Sequence, residues 1–106
     1  MYTRLLQNHT SELVYSDDQP YYTAIALGPA DESHLVYYDN GQRDLMYTSK
    51  NGSGWTEPEQ IEAYSNGNKR PGRSYNDISV DSSGVPHVSY AYFDRAANPD
   101  VSYLKY

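Results

Sequence analysis

The chain has 106 residues, no cysteine, and a net charge of −6 from 14 acidic and 8 basic side chains. The lack of cysteine excludes disulfides, thiolate chemistry and cysteine–zinc sites. The scattered acidic balance excludes a basic stripe for tracking a phosphate backbone, so no nucleic-acid partner is expected. No apolar run reaches the roughly 18 residues that a membrane-spanning helix needs, so no membrane insertion is expected. Thirteen tyrosines within an apolar fraction of 38% favour strands over a helical bundle.

In chain order, the first predicted strand is Tyr2–His9. MYTRLLQNHT has neither the basic start nor the apolar core of a signal peptide. The chain is therefore expected to be soluble, in a cytoplasmic or an extracellular or virion-associated setting. Tyr22–Leu27 (YTAIAL) alternates and is rich in strand formers. A turn over Gly28–Ser33 leads to a strand at His34–Asp39, and another follows at Asp44–Ser49. Asn51-Gly52 is a tight-turn dipeptide that hands over to Trp55–Glu62. The pattern then repeats as Tyr75–Val80 (YNDISV), the turn Asp81-Ser82-Ser83-Gly84, a strand at His87–Tyr92 and a last strand at Asp100–Tyr106. No stretch shows a period of 3.6 residues, so no helix is expected.

The repetition is internal to the sequence. A shift of 53 pairs Tyr22 with Tyr75, Ile25 with Ile78, His34 with His87 and Tyr37 with Tyr90. Beyond Tyr90 a shift of 56 pairs Asp44 with Asp100 and Tyr47 with Tyr103, which implies three extra residues in the second loop. Residues 1–106 thus read as one domain of two four-stranded units, about 1–53 and 54–106. The last strand of one unit is permuted to the amino terminus. His34 and His87 fall at equivalent places, which points to packing roles and not to a metal site. No metal or cofactor is expected. Asn8-His9-Thr10 and Asn51-Gly52-Ser53 have the form of glycosylation acceptors, although the second is already a turn.

Four-stranded sheets repeated at this interval resemble β-propeller blades. HLVYYDNGQRDLMYTSKNGSGWTEPEQI resembles the repeats of sialidase-like propellers, and Ser49–Trp55 resembles a degenerate Asp-box, a turn that ties the third strand to the fourth. ISVDSSGVPHVSY is similar to the first two strands of such a blade. The resemblance implies that two blades cannot close a ring alone, because each isolated flank stays apolar and wet. It implies a homo-oligomer: a cyclic homotrimer with six blades, as in small lectins built from two-blade chains. Strand exchange through Tyr2–His9 is one way to fill the open sheet edge.

In that frame, the loops Asn8–Tyr21, Asn40–Arg43, Ala63–Ser74 and Phe93–Pro99 share one face. The candidate ligand-binding residues there are Tyr21, Tyr22, Tyr38, Asp39, Arg43, Arg73, Tyr75, Asn76, Asp77, Asp94 and Arg95. Flat tyrosine rings cover the C–H faces of a sugar, and arginine and carboxylate groups take its vicinal hydroxyls. The expected function is lectin-like, multivalent glycan binding. The alternatives are a structural or adhesion component without a small ligand, and a sialidase-like glycoside hydrolase. Sialidases use an arginine cluster, a Tyr–Glu pair and an aspartic acid, and none of these maps onto this chain. No catalytic residue is expected.

Overall fold

The structure is a computed structural model that describes residues 2–4, 10–14, 20–52, 54–62, 69–94 and 101–106. Among these the chain is all-β. In order, the strands are β1 (Tyr2–Arg4), β2 (Thr10–Glu12), β3 (Pro20–Leu27), β4 (Ser33–Asp39), β5 (Asp44–Asn51), β6 (Gly54–Trp55), β7 (Glu59–Glu62), β8 (Lys69–Val80), β9 (Pro86–Asp94) and β10 (Val101–Lys105).

The first sheet is an antiparallel meander of β3, β4 and β5. Its outer line is made by β6 and β7, both paired with β5. The expected strand Trp55–Glu62 is therefore split across residues 56–58, where Pro58 offers no N–H to the ladder. The β5–β6 turn pairs Asn51 with Gly54, as the tight-turn dipeptide required. Thr56 N donates to Ser49 O at 2.8 Å, and Thr48 Oγ1 donates to Thr56 O at 2.7 Å. The second sheet has three described strands, in the order β10-β9-β8.

Three expectations need correction. First, the strand expected at Tyr75 begins at Lys69, so Lys69–Ser74 belongs to β8 and not to a loop. Pro71 and Gly72 read as breakers, but among the described residues β8 lies at the edge of its sheet, where a proline is tolerated. Likewise Phe93 and Asp94 close β9 and do not open a loop. Second, the described part of the strand expected at Tyr2–His9 does not join either large sheet. Tyr2–Arg4 pairs with Thr10–Glu12 in a small sheet of its own, and residues 5–9 lie outside the described set. Third, the repeat is offset by 59 in its third strand, not 56. Leu45 lies opposite Tyr38 in the first sheet, and Leu104 lies opposite Ala91, the counterpart of Tyr38, in the second. The counterpart of Tyr47 is thus Tyr106, not Tyr103, and the second loop is longer by six residues.

The turn before the second strand is the same in both sheets. Gly28 N donates to Glu32 O at 2.8 Å and Asp31 N to Gly28 O at 3.0 Å. Fifty-three residues on, Asp81 N donates to Val85 O and Gly84 N to Asp81 O, both at 3.0 Å. The fourth turn residue has a left-handed backbone in each copy, φ 63° at Asp31 and 83° at Gly84. Aspartate and glycine are among the residues that reach this region at least cost.

The two sheets pack face to face. Strand alternation puts Ala24, Ala26, Val36, Leu45 and Tyr47 on one face of the first sheet. They meet Ile78, Val88, Tyr90 and Tyr92 from the second, and together they form the core. Two polar bonds fix the contact: Tyr90 Oη donates to Glu62 Oε2, and Asn76 Nδ2 donates to Tyr22 O at 2.9 Å. Burial in this seam, and then the bond to Glu62, push the Tyr90 phenol well above its ordinary pKa.

The faces in contact are not equivalent ones. Under the 53-residue shift, Ile78, Val88 and Tyr90 correspond to Ile25, Leu35 and Tyr37, which lie on the opposite face of the first sheet, where Ile25 is exposed and Tyr37 buried. The contact is therefore head to tail.

Candidate functional site

Both first strands are interrupted at the same place. In β3 the register with β4 shifts between Tyr21 and Thr23, which leaves Tyr22 as a bulged residue. In β8 the register with β9 shifts between Pro71 and Asn76, so Gly72–Tyr75 is bulged. Tyr22 and Tyr75 are counterparts under the repeat. A bulge bends its strand and re-aims a side chain, and here both rings point into solvent: Tyr22 is 59% exposed and Tyr75 76% exposed. Tyr22 also has φ 44°, a left-handed backbone that a bulky residue adopts only under strain. Tyr21 joins it, with ring centroids 6.5 Å apart and planes at 85°.

The hydrogen bond from Asn76 to the Tyr22 carbonyl brings the two bulges side by side. Next to them lies an open depression of about 330 Å³, lined by Tyr75, Asn76, Asp77, Ser89, Tyr90 and Ala91. Asp77 is exposed and turns one carboxylate oxygen back to the Ile78 amide at 2.9 Å, which leaves the other for a ligand. Of the residues lining the depression, Asp77 alone carries a carboxylate.

The expected site residues divide accordingly. Tyr75, Asn76 and Asp77 line the depression, while Tyr22 adjoins it through its carbonyl's bond from Asn76, with the Tyr21 ring beside that of Tyr22. Tyr38 and Asp39 do not join them: both are buried. Tyr38 fills space under the sheet, and its hydroxyl has no hydrogen-bond partner among the described residues. Asp39 shapes the loop between β4 and β5, accepting the Gly41 amide at 2.8 Å through Oδ1 and the Arg43 amide at 2.6 Å through its carbonyl. Arg43 stands in that loop with φ 64°. Arg73 lies within the β8 bulge and Asp94 at the end of β9, with their side chains outside the described set, as is all of Arg95. Sequence reading missed Ser89, Tyr90 and Ala91. The alternation of β9 could have supplied Ser89 and Ala91, which share a face with Asp77.

A second constellation recurs in both sheets. His34 Nδ1 lies 2.7 Å from Tyr47 Oη, and its Nε2 lies 3.3 Å from Glu32 Oε1. His87 Nδ1 lies 2.6 Å from Tyr106 Oη, and its Nε2 lies 3.0 Å from Asp81 Oδ2. An ionised carboxylate only accepts, so Nε2 carries a proton, and in the neutral ring Nδ1 accepts from the tyrosine hydroxyl. Each imidazole also stacks on its tyrosine at 5.9 Å.

The two carboxylates come from opposite ends of the turn. Glu32 reaches back across Gly28, where a Cβ would stand 1.6 Å from its Oε1. In the second copy Asp81 occupies the position of Gly28 and supplies the acid directly. The His87 bond is the largest influence holding Asp81 below its ordinary pKa, whereas for Glu32 its own backbone amide acts first and His34 second. The geometry resembles a catalytic triad, but in the first copy the imidazole side chain is only 7% exposed. The shared role is to fasten the turn to the end of the third strand.

No family model, curated protein or solved structure matches this chain.

Proposed function

We propose that this chain is a two-blade subunit of a homo-oligomeric β-propeller, six blades from three chains, that binds glycans through its bulged tyrosines. The observation that carries the reading is the pair Tyr22 and Tyr75: equivalent, exposed, and in Tyr22 held at a backbone cost. Exposed flat rings beside Asn76 and Asp77 suit a sugar, whose C–H face stacks on the ring while its hydroxyls bond the amide and carboxylate. Repetition of such a site around a ring raises avidity without new contacts. The propeller reading draws support from the meander order of both sheets, from their common turn, and from the head-to-tail stacking of non-equivalent faces. Hydrolysis is disfavoured, because cleaving a glycosidic bond takes two carboxylates in different roles and the depression is lined by one.

The test is a glycan array probed with the intact protein, followed by Tyr22→Gly and Tyr75→Ala. Tyr22→Gly removes an exposed ring and relieves the left-handed strain, so the expected result is lost glycan retention with stability raised by up to about 1 kcal/mol. Unchanged retention in both variants refutes the tyrosine site. A lowered stability for Tyr22→Gly would mark Tyr22 as a packing residue.

A further inference from the structure

Asn40, Asn51 and Asn66 each precede a glycine. Besides the turn it favours, that dipeptide has a chemistry of its own. Asparagine is thermolabile, and glycine has no side chain to shield its backbone nitrogen from the amide before it. Asn66-Gly67 lies outside the described residues. The other two pairs stand in turns of the first sheet, and their surroundings differ.

In the turn between β4 and β5, the Gly41 amide donates to Asp39 Oδ1 at 2.8 Å, and Asn40 is half-buried. The nitrogen that would attack Asn40 is thus held by a buried carboxylate. In the turn between β5 and β6, Asn51 and Gly52 are both exposed. Among the described residues no acceptor holds the Gly52 amide. Asn51 and Gly54 form the last rung of the β5–β6 ladder. A terminal rung opens easily, and its opening lets the Gly52 nitrogen swing onto Asn51 Cγ. Both residues also line an open depression of about 290 Å³, through which water reaches them.

We propose that Asn51 is a site of spontaneous deamidation, while Asn40, in the same dipeptide, is protected by the fold. Hydroxide takes the proton of the Gly52 amide, and the nitrogen attacks Asn51 Cγ. The new N–Cγ bond closes a cyclic imide as the bond from Cγ to the side-chain nitrogen breaks. That nitrogen leaves as ammonia, with a proton from water. Water then opens the imide at either carbonyl, giving aspartate or isoaspartate at position 51. Either product adds a carboxylate to a depression that already holds Asp31 and Glu32 beside Lys50. Isoaspartate also routes the main chain through the former side chain, which breaks the rung between residues 51 and 54.

The experiment ages the intact protein in warm, mildly alkaline buffer, with a parallel sample unfolded in guanidinium chloride. Fragmentation of its peptides in a mass spectrometer places each gain of about 1 Da. In the folded protein Asn51 is expected to convert at least about ten times faster than Asn40. In the unfolded protein the two rates are expected to fall within about threefold of each other, because only the fold separates them. Gly52→Ala supplies a second measurement. A Cβ on Gly52 would meet nothing within 4 Å, and Gly52 lies outside the left-handed region, so the variant should fold normally. It should slow conversion of Asn51 by at least about tenfold. Equal rates at Asn40 and Asn51 in the folded protein overturn the proposal. So does a folded Asn51 that stays intact while the unfolded one converts, or a folded Gly52→Ala chain that converts as fast as wild type. The comparison of folded with unfolded protein needs no variant, and it decides the matter even where Gly52→Ala misfolds.

Discussion

Removing one oxygen from the seam between the sheets tests the packing on which every larger claim depends. Tyr90→Phe keeps the ring, and with it the apolar burial at a site only 8% exposed. It deletes the bond that Tyr90 Oη donates to Glu62 of β7, across the two sheets. A hydrogen bond to an ionised group contributes roughly 1.5–3 kcal/mol. Glu62 is half-buried, so water recovers part of the loss, and about 1–2 kcal/mol is expected. For a chain of this size that lowers the midpoint of thermal unfolding by about 5–12 °C. The assay is thermal unfolding by circular dichroism at fixed protein concentration. It is run as a cycle with Glu62→Ala and the double variant, because only the coupling isolates the pair. A coupling above about 1 kcal/mol is expected. A coupling below about 0.3 kcal/mol with an unchanged midpoint would mean that the sheets do not meet at this seam in solution, and the head-to-tail stacking would fall with it.

Three other outcomes follow from particular residues. Tyr38→Phe should leave stability unchanged or raise it by about 1 kcal/mol, since its hydroxyl is buried without a described partner, and it should leave glycan retention intact; a loss of retention would return Tyr38 to the ligand site. Gly28→Asp alone should lower the unfolding midpoint by crowding the Glu32 carboxylate off His34. Adding Glu32→Val, which copies the second turn into the first, should bring the midpoint back to within about 2 °C of wild type. Asp81 and Glu32 have lowered pKa values, so the stability they contribute is complete above the ordinary carboxylate range and is lost as pH falls through their folded values. The midpoint should hold down to about pH 5 and drop below about pH 4, and less steeply in His87→Ala, which removes the main influence on Asp81.

How much of this could be read from the sequence depended on the physical signal each feature leaves. The meander of β3 to β7 was legible because alternation and tight turns are local: YTAIAL, HLVYYD and Asn51-Gly52 each announce themselves within a few residues. The start of β8 was not, since Pro71 and Gly72 break an interior strand but are tolerated on an edge, and no residue states which strand will be the edge. The offset of the third strand was misread for a related reason. Tyr103 and Tyr106 are both plausible partners, and only the imidazole of His87, reaching Tyr106 across the sheet, selects between them. The site was half visible. The shift of 53 picked out Tyr22 and Tyr75, but exposure is set by bulges that depend on cross-strand register, so Tyr38 and Asp39 were grouped with them although both are buried.

The same dependence explains why the two sheets differ where they should be alike. Val36 and Tyr38 lie in the seam, while their counterparts Ser89 and Ala91 face outward. A face packed within the chain carries large apolar groups, whereas the corresponding positions turned to water are trimmed to serine and alanine, because the same backbone unit meets a neighbouring sheet on one side only in each copy.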